Sequence, residues 1–171
     1  MRAAAILTVL ATAVFAVACD AKSPPKGSTA ANDSAERVKS LHRGELAAIS
    51  TYEEALKKND AHAWAPELNR ILGEHRDAAD RLKSRLLDLG VTPDYSAGAW
   101  GGWSDLVAKA AAALGDEPAR DALKAGENLG VKSYEDALTD GKVDEATKSL
   151  IRDRLLGRTK EHVSALDRLK K

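Results

Sequence analysis

The chain has 171 residues, with 26 basic and 26 acidic side chains, 44% apolar residues and only 4% aromatic ones. Balanced charge without a long single-sign run excludes the electrostatic footprint of a nucleic-acid-binding protein. One cysteine, Cys19, excludes an intramolecular disulfide framework, and the bias toward Ala, Leu, Lys, Glu and Arg points to an all-α class.

Residues 1–18 carry Arg2 as their one charge, and the run from Ala3 to Ala18 is interrupted only by Thr8 and Thr12. It is too short to span a bilayer comfortably but suits the hydrophobic region of a signal peptide. It ends Ala16-Val17-Ala18-Cys19. Small residues before a cysteine resemble the bacterial lipoprotein signal, which implies that Cys19 is lipidated and becomes the mature N-terminus. Two or three acyl chains anchor stably where one does not. The expected location is therefore the cell envelope, with the protein membrane-anchored and facing the periplasm or cell exterior. An ordinary secretory signal followed by a spare cysteine is the alternative. Ala21 to Asp33 holds almost no large apolar residue and reads as a flexible tether of about 20 Å root-mean-square reach. The expected organisation is a signal peptide over 1–18, a lipidated cysteine and tether over 19–33, and one helical domain over 34–171.

The first helix is expected from Ser34, as N-cap, to about Lys58. Val38, Leu41, Glu45, Ile49, Tyr52 and Leu56 follow in steps of three and four that keep one face inward. The second opens at Trp64-Ala65-Pro66, where proline is tolerated in the first turn, carries Leu68, Leu72, His75, Ala79, Leu82 and Leu86 inward, and stops at Gly90. Gly90 to Gly102 has four glycines and a proline. Extended, it could cover about 43 Å, enough for a crossover along a bundle. Trp103 to Leu114 is expected to form a short extra helix or a kinked forerunner of the next one. The third main helix carries Leu123, Glu127, Val131, Tyr134 and Leu138; the fourth begins near Asp144 and presents Ile151, Leu155, His162, Leu166 and Leu169.

Two stretches repeat. Leu41-His-Arg-Gly-Glu45 with Tyr52-Glu-Glu-Ala-Leu56 returns as Leu123-Lys-Ala-Gly-Glu127 with Tyr134-Glu-Asp-Ala-Leu138, and Glu74-His75 with Asp80-Arg-Leu-Lys83 returns as Glu161-His162 with Asp167-Arg-Leu-Lys170. A helical hairpin used twice makes a four-helix bundle. Gly-Glu followed by Tyr-Glu-x-Ala-Leu, the loop ending Gly98-x-x-x-x-Trp103-x-x-Leu106, Glu-His and the terminal Leu-Asp-Arg-Leu together resemble a bacterial family. It is the ferritin-like four-helix-bundle family of unknown function, members of which are described as stress-associated. The resemblance covers about Ser34 to Lys171. It implies a ferritin-like bundle of two hairpins joined by a long crossover, and it brings no established activity.

Glu45, His75, Glu127 and His162 all fall on core faces. A buried carboxylate costs several kcal/mol unless it is paired or metal-bound. In di-iron bundles each hairpin supplies one Glu and a Glu-x-x-His pair. Here the residues three before the histidines are Leu72 and Thr159, and Glu74 and Glu161 lie about 100° round the helix. Glu45 and His75 are 30 residues apart but Glu127 and His162 are 35 apart, which puts one pair out of level by up to about 7 Å unless loops absorb it. The expectation is buried Glu–His pairs with no cofactor; an iron or other transition-metal site on the quartet is the alternative. Tyr52 and Tyr134, two turns beyond the glutamates, are expected to be core residues or to stand behind such a site. Gly44 and Gly126 suggest close helix approach, Trp64, Tyr95, Trp100 and Trp103 a hydrophobic lid, and His42 and His62 solvated side chains. The functional expectation is a lipid-anchored binding or scaffolding module, not an enzyme, with a protein partner or a second copy as candidate partners besides the membrane. A ferritin-like oxidase or peroxide-handling protein is the rival.

Overall fold

A computed structural model describes residues 29–58, 63–93 and 116–169. Cys19, the signal region, His62, Tyr95, Trp100, Trp103 and the expected extra helix lie outside the described residues. The elements are α1 (Thr29–Lys58), α2 (Ala65–Asp88), α3 (Asp116–Thr139), α4 (Glu145–Leu150), a π-helical turn (Ile151–Leu155) and α5 (Leu156–Arg168). Among the described residues there is no strand, and no helix is long and apolar enough to cross a membrane. The fold is an all-α bundle of four rods, the last formed by α4, the π turn and α5.

Side-chain contacts fix the directions of the rods. Arg37–Asp140 at 2.9 Å, Tyr134–Glu45 at 2.5 Å and Tyr52–Glu127 at 2.7 Å run α1 antiparallel to α3. Val38 and Leu41 pack with Leu82 and Leu86, and Tyr52 and Ala55 with Leu68, Ile71 and Leu72, which runs α1 antiparallel to α2. Asp77–Arg158 at 2.6 Å and Arg85–Asp144 at 2.7 Å do the same for α2 and the fourth rod. Hence α2 and α3 are parallel, and the end of one lies at the opposite end of the bundle from the start of the other. The length of α2, about 36 Å for its 24 residues, separates those two ends.

The helix ends show how local sequence sets this frame. Pro66 sits in the first turn of α2, and Gly90 ends it at φ 74°, where only glycine is unstrained. There the Val91 N–H donates to Leu86 O and the Gly90 N–H to Leu87 O, both at 2.9 Å, which satisfies the last carbonyls. Asp144 caps α4 by accepting the Thr147 N–H at 3.0 Å. The start of α1 differs from expectation. The helix begins at Thr29, and Ser34 is not its cap but a fully buried side chain. Its hydroxyl donates to the Asp144 carboxylate and accepts the Asp144 N–H. Arg85 adds bonds to Asp144 and to the Thr147 hydroxyl. Burial pushes the Asp144 carboxyl up, but the Ser34 and Thr147 bonds and the Arg85 charge hold it well below the usual carboxylate range. This cluster ties α1, α2 and α4 together at one end.

The core divides into two apolar layers. Val38, Leu41, Leu82, Leu86, Tyr134, Ala137, Ile151 and Leu155 form one; Tyr52, Ala55, Leu68, Ile71, Leu72, Leu123, Ala165 and Leu166 form the other, with Trp64 packed on it. A fully buried Leu or Ile contributes about 1.5–3 kcal/mol, so these layers can offset a costly polar stratum between them. His42, expected in solvent, is buried: it follows Leu41 on a face broad enough to take both.

Candidate metal centre

In every rod the residue between the two apolar layers is polar: Glu45 on α1, His75 on α2, Glu127 on α3 and His162 on α5. All four are at most 6% exposed. Sequence steps alone put them on core faces; the structure brings them to one level. The unequal spacings of 30 and 35 residues are absorbed partly by the π turn. Buried Thr147, Ile151, Leu155 and Thr159 are four residues apart, and three such steps would carry the stripe about 120° round an ideal helix. The Leu156 N–H bonds to the carbonyl of Ile151, five residues back. One extra residue in that turn takes back about 100° and returns His162 to the core.

The contacts form a single network. Nδ1 of His75 donates to Glu45 Oε2 at 2.7 Å and its Nε2 to Glu127 Oε1 at 2.9 Å. His162 places Nδ1 3.1 Å from Glu127 Oε2 and Nε2 2.8 Å from Glu74 Oε2. Glu127 therefore uses both oxygens to join the two imidazoles, whose ring centres are 4.9 Å apart. The expected Glu–His pairs exist within each hairpin, but they are fused and not separate. The tyrosines are exchanged between hairpins: the Tyr52 hydroxyl donates to Glu127 at 2.7 Å and that of Tyr134 to Glu45 at 2.5 Å.

Charges follow this geometry. Burial alone would pull the His75 imidazolium down, but the charges of Glu45 and Glu127 and their hydrogen bonds outweigh it and raise the pKa to about 10. For Glu127 burial pushes up, and the His75 charge with the bonds from both histidines brings the carboxyl down to about 2. Burial and the adjacent carboxylates keep both tyrosines protonated far above their ordinary value.

One ligand atom from each of His75, Glu127 and His162 lies within 4.8 Å of the others. Leu72 and Thr159 are both buried, and the Thr159 hydroxyl donates to the Leu155 carbonyl. No second carboxylate pair replaces them. Sequence reasoning missed Glu74, which was expected to lie too far round α2 to take part. Its side chain spans that angle and reaches the histidine of the other hairpin. Arg70 holds it there, donating to Glu74 Oε1 at 2.5 Å and to Glu67 at 2.8 and 3.1 Å. The signal was Glu67-x-x-Arg70-x-x-x-Glu74, a helical charge ladder; the repeat has Gly157 where Arg70 stands, and Glu161 is exposed.

A family model for a domain of unknown function, DUF2383, matches residues 33–140. The chain belongs to this family. The DUF2383 match takes in α1, α2 and α3, and with them Glu45, Tyr52, Glu74, His75, Glu127 and Tyr134; His162 lies beyond it. No curated protein and no solved structure matches the chain.

A cavity of about 190 Å³ opens between α1 and α3, floored by Glu45, Tyr52, His75, Glu127 and Tyr134 and walled by Gly44, Ala47, Ala48, Gly126 and Gly130. The expectation of close helix approach at Gly44 is therefore corrected: a Cβ there would meet nothing within 4 Å. The small residues keep a cleft open.

Proposed function

We propose that this protein is an envelope-tethered, ferritin-like binding module that holds one divalent transition-metal ion on His75, Glu127 and His162. The observation that carries the reading is the bridging of both imidazoles by the one carboxylate of Glu127. Its oxygens lie 2.9 and 3.1 Å from the two ring nitrogens. Neighbouring ligands of an ion with bonds near 2.1 Å stand about 3.0–3.4 Å apart, so little movement is needed. Two imidazoles and a carboxylate suit zinc, iron(II) or manganese rather than calcium. Glu45 would orient His75 from behind, as carboxylates do for metal-bound histidines, and the tyrosines would orient the carboxylates. With Leu72 and Thr159 in the remaining places, one ion is expected and not two. Binding must displace the proton that His75 holds, so uptake releases protons and weakens as pH falls.

Elemental analysis of the purified full chain should find one equivalent of zinc, iron or manganese, lost in His162→Ala and in Glu45→Ala. A chain that stays metal-free after dialysis against each ion ends this reading and leaves the layer as a structural ion-pair network.

The tethering half of the proposal rests on Ala16-Val17-Ala18-Cys19 at the end of the apolar run and on Cys19 being the sole cysteine. The protein should partition into the detergent phase and incorporate labelled fatty acid, with both lost in Cys19→Ser. Unacylated wild-type protein free in the aqueous phase refutes it.

A further inference from the structure

One side chain of the polar network stands out for its exposure. Glu45, His75, Glu127 and His162 have side chains 7%, 5%, 2% and 3% exposed, whereas that of Glu74 is 26% exposed at the surface between α2 and α5. One oxygen of Glu74 faces His162 at 2.8 Å and the other faces outward to Arg70. Arg70 is itself 39% exposed and also held by Glu67. An exposed ion pair of this kind is weak, so Arg70 can release Glu74 at little cost and remain paired to Glu67.

The cleft between α1 and α3 also reaches His75 and Glu127, but His162 is not part of its lining, and Arg37 stands beside Asp136 there. Glu74 is a surface carboxylate in direct contact with His162. The second hairpin provides no equivalent entry, since Gly157 replaces Arg70 and Glu161 points to solvent.

We infer that Glu74 is the loading residue of the proposed centre: it captures a divalent transition cation at the α2–α5 surface and passes it to His162 and Glu127, with Arg70 as its displaceable counter-ion. The inference rests on the metal reading above and adds a route of entry to it.

Cobalt(II), whose visible bands report ligation, is the probe, with the full chain in detergent. Uptake is followed by stopped flow and release by transfer to a chelator. Glu74→Gln should slow both uptake and release about tenfold, the scale by which a placed charge alters ion association, and leave the equilibrium affinity nearly unchanged. Arg70→Gln should accelerate uptake, while Glu161→Gln and the cleft-filling Gly44→Leu should not alter it. Unchanged rates in Glu74→Gln, or an affinity loss without a rate change, overturn the inference. Slowed uptake in Gly44→Leu moves the route to the cleft and overturns it as well. If wild-type protein binds no cobalt, the metal reading fails first and this one with it; if it binds normally and Glu74→Gln loads at the wild-type rate, only the route is wrong.

Discussion

Glu127→Ala should destabilise the metal-free protein by about 3–5 kcal/mol, the cost of removing one partner of a buried ion pair and leaving the other charged. No other side chain in the layer serves as many groups: the Tyr52 hydroxyl and the rings of His75 and His162 all bond to Glu127. Glutamine is a poor substitute. Its one carbonyl oxygen cannot serve the separate positions of two oxygens, and its amide nitrogen presents a donor where the carboxylate accepted. Denaturant unfolding in the presence of chelator measures the effect without interference from ion loss. Tyr52→Phe alone should cost about 1.5–3 kcal/mol, because its bond goes to a charged acceptor, and clearly less in the Glu127→Ala background, since the partner has gone. A loss below about 1 kcal/mol in Glu127→Ala, or strict additivity of the two changes, would show that the network contributes little.

Stability of the metal-free protein should fall on both sides of a plateau. The raised pKa of His75, from 6.5 to about 10, means that its contribution is complete below about pH 6.5 and is lost as pH rises toward 10. Glu127 is lowered from 4.5 to about 2, so its contribution is complete above about pH 4.5 and is lost as pH falls toward 2. Both shifts describe the same ion pair, and the energy is counted once. On the alkaline limb the slope approaches about 1.4 kcal/mol per pH unit, for a total on the order of 3–5 kcal/mol. Urea midpoints between pH 3 and 10, with chelator, test this. His75→Gln should flatten the alkaline limb, and a wild-type profile already flat from pH 6.5 to 10 contradicts a charged His75.

Much of the frame was legible because helices write their inward faces into the sequence at fixed steps. The repeated Glu and Tyr positions, the helix end at Gly90 and the helix start near Asp144 could be read from spacing and local chemistry alone. The start of α1 could not. Ser34 before a regular apolar stripe looks like a cap, and what excludes it is a partner, Asp144, 110 residues away. Residue positions also set the angle of Glu74 correctly while concealing its reach, since periodicity places a Cα and not the end of a long side chain. Likewise, a count of 30 against 35 residues gives axial distance only if each turn is regular, and the π turn at Ile151–Leu155 is not. Gly44 marked a place where two helices leave room, though a glycine is equally what close contact would demand. Tertiary pairing, side-chain length and helix irregularity are the three kinds of information that steps of three and four do not contain.

The exchanged tyrosines bear on ancestry. Each closes on the carboxylate of the opposite hairpin, so a hairpin by itself would expose an under-bonded glutamate on an oily face. Two identical hairpins meeting about a twofold axis would make both bonds at once. A self-associating half-length ancestor could therefore have built the same interior before its gene was duplicated and joined. Within one chain the two halves need not change together. Arg70 where the repeat has Gly157, a carboxylate engaged in one half and exposed in the other, and a π turn confined to the last rod among the described residues are departures that a symmetric pair could not carry singly.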